Sequence, residues 1–413
     1  MFKSLNNLKV FDIKGSLLKD FAEYPQNNLK TFDLIGRLIN FAERHAVNGN
    51  CWQHYIAYFI ASNENTFSLA CEREESVSGT LLEFAYDDCR ILTDVFNTYP
   101  SMLPTADNSA KSLTKFKSTT PNSTLPYAHL IEKFAHDLSK CKTTQAFLDS
   151  VVTFYRIYGV GELGLNKAFR VVDESNSAKL VPITCMDSKR LDDLVGYDLQ
   201  KEKVLQNTRA FLDGKKANNV LLYGDMGTGK SSTIKALINE FYQDGLRVIE
   251  LYKHQFMFIS DLISKISHRN YKYILYLDDL SFDDFEVEYK YFKAIIDGGL
   301  EVKPDNVLIY ATSNRRHLIK EHYSDGNDID PMDELHKSDT KNEKLSLVAR
   351  FGLSIYYPSP DQQEFLNIVR QLAKRYNVEI DQDTLDKKAL TWAIRNGIKS
   401  GRMAEQFVLS LLH

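Results

Sequence analysis

From Gly224 to Ser231 the chain reads GDMGTGKS, three glycines among short side chains, followed at once by a lysine and a hydroxyl. Glycines at that spacing let backbone N–H groups turn toward a single point. A cation and a hydroxyl where a helix opens complete a set that suits phosphate oxygens and a hard divalent ion. The stretch is a full match to GxxxxGK[ST], and its flanks fit, with the strand-like "NVLLY" before it and the helix-like "SSTIKALINEFY" after it. Gly224, Asp225, Met226, Gly227, Thr228, Gly229, Lys230, Ser231 and Ser232 are therefore the expected cradle of ATP. Lys230 would neutralise phosphate oxygens, and the Ser231 hydroxyl would ligate Mg2+.

A second chemical pair closes "YILYLDDLSF", where a run of apolar residues ends in Asp278 and Asp279. A buried strand that delivers acids at its C-terminal end places them where open α/β sheets bind ligands. With the phosphate loop one βα unit upstream, this reads as a Walker B strand. Asp278 is expected to hold Mg2+, usually through water, and Asp279 to polarise the attacking water. The plainer alternative is a pair of solvated acids at a strand end. A second glycine-rich stretch, "GVGELG" from Gly159 to Gly164, spells GxGxxG but follows a helix pattern. It reads as a helix C-terminus ended by Gly159, not as a dinucleotide site.

The elements that must position these groups follow from periodicity. Residues 1–104 read as an N-terminal helical region, with apolar residues at helical spacing in "TFDLIGRLINFAERH" and "GTLLEFAYDDCRILTDVF". Residues 105–126, rich in Ser, Thr, Lys and Pro, read as a linker or loop. Residues 127–190 read as a further helical region with a Gly-rich turn. From Asn219 the pattern becomes strand, glycine turn, helix, in "NVLLYG", "RVIELYK", "YKYILYLD" and "DNVLIYATS", the signature of a parallel α/β sheet. The core is bounded at 191–358, and helical patterns return over 359–413.

Composition limits what such a machine works on. Hydrophobic residues make up 43% and charged residues 26% of the 413, the balance of an ordinary globular protein. Fifty-one basic against 55 acidic residues leave a net charge of −4, so nucleic acid is possible as a partner but not indicated by net charge. The five cysteines have no CxxC spacing, and neither a disulfide framework nor a zinc site is expected. No signal-peptide core and no long apolar run is present, so a cytoplasmic location and no membrane partner are expected.

From about Phe154 to the C-terminus the residues carry a family resemblance. "VLIYATSNRRH" looks like the strand that follows Walker B in AAA+ ATPases, with Asn314 in the sensor-1 position. "LSLVARFG" resembles their arginine-finger segment, at Arg350, and "SGRMAEQF" resembles their sensor-2 helix, at Arg402. "LVGYDLQKEKVLQNTRAFLDG" looks like the lead-in helix that closes over adenine. More narrowly, "GDMGTGKSS", "LDDLSF", "EKLSLVARFGL" and "YGVGELGLNKAFR" are similar to a bacterial family of AAA+ ATP-binding proteins that carry a domain of unknown function. The resemblance implies an AAA+ P-loop NTPase with a parallel five-stranded sheet, a C-terminal helical lid and a mainly α-helical N-terminal domain. It also implies a homo-oligomeric, ATP-driven machine related in its core to replication initiators and helicase loaders. The resemblance does not settle the client; an unidentified protein or protein–nucleic-acid client is expected, with protein contact through the N-terminal helical region.

Two departures stand out. The second Walker B acid is aspartate where most AAA+ relatives carry glutamate, and an acidic stretch, residues 321–343, separates Asn314 from Arg350. Three functions compete: an ATPase that remodels or loads a client, a nucleotide-dependent switch that hydrolyses negligibly, and a P-loop kinase. The helical lid and the Arg350 segment speak against the kinase.

Overall fold

The computed structural model describes residues 2–23, 28–73, 77–98, 109–119, 125–175, 177–282, 287–297, 304–314 and 348–412. The chain divides into two compact units, one of Met1–Lys167 with Pro182–Cys185, the other of Ala168–Val181 with Met186–His413.

The first unit is helical. Its core is built on the helix Cys51–Ser62, whose residues Cys51, Trp52, Ile56, Ala57, Ile60 and Ala61 are inaccessible to solvent. Asn50 opens that helix by accepting the N–H groups of Trp52 and Gln53, the expected use of an N-cap side chain. Three buried polar side chains inside the unit are paired. The buried Asp88 accepts the N–H groups of Lys9, Val10 and Phe11, the Trp52 indole donates to the Val95 carbonyl at 2.9 Å, and the Tyr155 hydroxyl donates to the Ile60 carbonyl at 2.8 Å. Such pairing is what burial of polar groups demands. Strands β1 (Asn48–Gly49) and β2 (Phe116–Lys117) form a small antiparallel ladder. The stretch 105–126, read as a linker or loop, thus contains β2 and the helix Ser109–Thr114. "GVGELG" closes the helix Thr144–Tyr158 at Gly159, whose φ of +71° favours glycine. Burial pushes Cys71 up to about 11 and Cys51 up to about 12, so these thiols behave as small core hydrophobes.

The second unit holds a seven-stranded sheet. Its strands are β3 (Ala168–Glu174), β4 (Ser177–Pro182), β5 (Val220–Gly224), β6 (Leu246–Glu250), β7 (Lys272–Leu277), β8 (Val307–Ser313) and β9 (Leu353–Tyr357), in the order β4-β3-β6-β7-β8-β5-β9. The five strands β6-β7-β8-β5-β9 are parallel neighbours, the five that the AAA+ resemblance implies, but the sheet has seven strands, because β3 and β4 extend it beyond β6. β3 and β4 correct the reading of 127–190 as helical throughout. β3 pairs parallel to β6, which would otherwise be an open edge, and only the first half of β3 is buried.

β5 is the first strand of the parallel five yet sits between β8 and β9, so the connections on its two sides run in opposite directions. That reversal opens a crevice beyond the C-terminal ends of the strands. One face of the sheet buries Val220, Leu222, Ile274, Tyr276, Leu308 and Tyr310 against Ile234, Leu237 and Phe241 of the helix Lys230–Phe241. The chain ends in three helices, Gln362–Arg375, Gln382–Asn396 and Gly401–Ser410, packed around Phe365, Val369, Ala389, Ala404, Phe407 and Val408. Asp361 and Glu364 form a reciprocal capping box at the first, and Ser400 caps the last. Among the described residues no helix is long and apolar enough to cross a membrane.

Candidate functional site

The loop after β5 is held by its glycines and by the neighbouring strand. Gly224, Gly227 and Gly229 have φ of +135°, +77° and +92°. Gly224 lies against the end of β9, where a Cβ would overlap the Tyr357 carbonyl. The Asp225 N–H donates to that carbonyl at 3.1 Å, and its carboxylate accepts the Ser359 N–H at 2.7 Å. Gly224→Ala therefore adds both a forbidden backbone conformation and an overlap with main chain. We expect it to destabilise the unit by on the order of 3 kcal/mol, visible in thermal denaturation as a midpoint lowered by roughly 10 °C.

Lys230 opens the following helix, and only 5% of it is exposed. Its ammonium donates to the carbonyls of Gly224 at 2.9 Å and Asp225 at 2.6 Å. Burial lowers its pKa, and the carboxylates of Asp225, Asp279 and Asp278 oppose that. The cation is thus poised inside its own loop, within reach of any anion the loop encloses.

Sheet register explains how the two acids reach this loop from a strand that does not touch β5. β8 lies between them. Tyr223 of β5 pairs with Ser313 of β8, and Leu277 of β7 pairs with Ala311, so the residues just past each strand end converge. Ser231 donates to Asp278 Oδ1 at 2.7 Å, and Thr312 donates to the same oxygen at 2.7 Å. Burial alone would raise the Asp278 carboxyl, but the hydroxyls of Thr312 and Ser231 outweigh it and hold the group below the usual carboxylate range. An ionised carboxylate beside a hydroxyl is an oxygen donor set suited to Mg2+.

Asp279 has a left-handed backbone, φ +51°. Its N–H donates to Thr312 Oγ1 at 2.9 Å, and the Asn314 amide donates to its Oδ1 at 2.7 Å. Thr312 escaped the sequence reading, since in "VLIYATS" it looks like any buried strand threonine.

Met226, Gly227, Thr228, Gly229, Lys230, Ser231, Ser232, Asp278, Asp279, Asn314 and Arg402 line one cleft of about 740 Å³, within the size range of small-molecule sites. Gly224 and Asp225 secure the loop from outside that lining. The lining also includes the apolar Leu194, Val195, Ile368 and Leu372, and Tyr197. Tyr197 stacks on Tyr357 with centroids 5.2 Å apart, and its hydroxyl donates to the Pro358 carbonyl. The last helix meets the loop directly. The Arg402 N–H donates to the Gly227 carbonyl at 3.2 Å, and a Cβ on Gly227 would crowd Ser400 Oγ at 2.8 Å. Lys189 and Glu405, which also line the cleft, form an ion pair at 3.0 Å.

Arg350 is not part of the lining. It precedes β9, whose Leu353 pairs with Val220 at the start of β5, so it lies at the end of the sheet opposite the phosphate loop. The acidic stretch 321–343 lies outside the described residues.

The parallel sheet with its reversal at β5, the glycine loop entering a helix and the helical lid define the AAA+ P-loop NTPase fold. Residues 165–413 match the family described as "Protein of unknown function (DUF815)", and the chain belongs to that family. No curated protein matches it. Among solved structures the chain is similar to the RuvB Holliday junction branch migration motor of Thermotoga maritima, at 17% identity over 54% of this chain and 71% of that one, with a TM-score of 0.33. Two variants of the same protein give 16% identity, 54–55% of this chain, 72% of theirs, and TM-scores of 0.33 and 0.34.

Proposed function

We propose that this protein binds ATP with Mg2+ in the cleft and hydrolyses it, working as a homo-oligomer that remodels or loads a protein or protein–nucleic-acid client. The observation that supports this most is the meeting of Lys230, Ser231, Asp278, Asp279 and Asn314 in one cleft where the strand connections reverse. In this reading the loop N–H groups and Lys230 bind phosphate, and Ser231 with Asp278 holds the metal. The metal, when bound, neutralises charge developing on the transferred phosphoryl group. Asp279 orients the attacking water and takes its proton, and Asn314 fixes the Asp279 carboxylate. Arg402 brings the lid against the phosphate loop. The N-terminal helices are the expected site of client contact.

Arg350 supports the oligomeric part, since it lies away from its own cleft and so would act on a neighbour's. Arg350→Ala is expected to leave ATP affinity near normal and to lower turnover by roughly 10³-fold, the low end for such arginines. Turnover measured against protein concentration, alone and mixed with Lys230→Ala, is the test. Lack of rescue, with a monomer at every concentration, would sink the shared-site reading. A second reading, a switch that binds ATP without turning it over, draws on the Asn314 hydrogen bond that already occupies one Asp279 oxygen. Single-turnover measurements separate the two.

A further inference from the structure

Among the described residues, the Thr312 hydroxyl is the group bonded to both acids. It accepts the Asp279 N–H at 2.9 Å and donates to Asp278 Oδ1 at 2.7 Å, which uses its single proton and leaves no conflict between the two bonds. The Thr312 carbonyl accepts the Leu280 N–H at 2.7 Å, so two successive amides past β7 are fastened to one residue of β8. Thr312 is itself 2% exposed, and its own strand is buried along its whole length.

Those bonds are made where the backbone least wants to go. Asp279 sits at φ +51°, a region that L residues avoid and that Asp and Asn tolerate best. A strand end without constraint would continue extended, and the next side chain would then point to the opposite face of the sheet. The left-handed turn instead turns the Asp279 carboxylate to the cleft, where Asn314 receives it.

We infer that Thr312 is the positioning residue of this site, holding Asp279 in its left-handed turn and tying its placement to that of Asp278. The inference rests on the hydrolysis reading above. Thr312 need not touch nucleotide to act. Its hydroxyl transmits the position of the metal-binding acid to the water-facing acid, so that the two are set together.

The substitution that isolates this is Thr312→Val, which keeps the branched shape and the burial and removes only the hydroxyl. Its affinity for ATP with Mg2+, read by calorimetry, should stay within a few-fold of the wild type, because the loop and Lys230 are untouched and Ser231 still holds Asp278. Turnover should fall by about 10²-fold, the effect of a small misplacement of a reacting group, and KM should change little. Thr312→Ser, which restores the hydroxyl, should recover most of the rate. Because Thr312 acts through Asp279, Thr312→Val combined with Asp279→Asn should be no slower than Asp279→Asn alone.

The inference is overturned by Thr312→Val turning over within a few-fold of an active wild type. It is equally overturned if serine fails to restore the rate while both variants melt early, which would make Thr312 a packing residue, or if the two losses multiply in the double variant. A wild type that binds ATP but does not hydrolyse it overturns the hydrolysis reading, and this inference with it.

Discussion

Lys230→Ala abolishes measurable binding of ATP with Mg2+: calorimetry should find affinity lowered by at least about 100-fold, equivalent to roughly 2.7 kcal/mol. A charge-assisted hydrogen bond contributes about 1.5–3 kcal/mol, and Lys230 is the lysine buried within the loop itself, where screening by solvent is weak. Its present partners, the Gly224 and Asp225 carbonyls, are neutral, and they hold the ammonium beside the space a phosphate would enter. Those bonds also mean that alanine could disturb the loop as well as remove the charge. Lys230→Met answers this, since it keeps most of the buried stem and fills the same channel. Both variants should lose binding while Lys230→Met keeps the wild-type melting point to within a few degrees. Affinity unchanged in either variant would remove the phosphate-cradle reading and everything built on it.

The phosphate loop was legible because its backbone admits few alternatives. Three positive-φ positions require glycine, and the chemistry at the helix opening requires a cation and a hydroxyl, so the letters nearly determine the geometry. The acids were legible for a related reason: five buried residues in a row, Tyr273 to Leu277, followed at once by two carboxylates, have few uses. Thr312 was not, because its role depends on the register between β7 and β8, and register is a relation between segments that neither segment displays alone. Tyr197 was hidden differently. Its left-handed backbone, φ +58°, and its stacking on Tyr357 arise only when the lead-in helix packs near β9. β3 and β4 were passed over because they are half-exposed and charged, so "AFRVVDE" and "SAKLVP" lack the continuous apolar run of the central strands. In the first unit, helix periodicity was plain in the sequence, but nothing in it told that Asp88 would gather the N–H groups of Lys9, Val10 and Phe11.

Asp279 carries the other large effect. Asp279→Asn should bind ATP with Mg2+ normally while turnover collapses, by about 10²–10⁴-fold if the carboxylate acts as a general base. The substitution is clean, because asparagine tolerates the left-handed backbone as well as aspartate does, and its side-chain oxygen can still accept from Asn314. Asp278, held by Ser231 and Thr312, keeps its place. Asp279→Glu is the sharper question, since glutamate is the usual residue of AAA+ relatives. At φ +51° glutamate is less at home than aspartate, and its extra methylene carries the carboxylate past the Asn314 amide that now receives it. The glutamate variant should therefore be slower than the wild type, by about 10-fold or more. A faster glutamate variant would mean that reach limits the wild-type protein and that the turn adapts to the longer side chain. Should the wild type and Asp279→Asn turn over alike in single-turnover measurements with oligomers present, Asp279 has no part in hydrolysis. The Asn314–Asp279 pair would then be the fixed arm of a nucleotide switch.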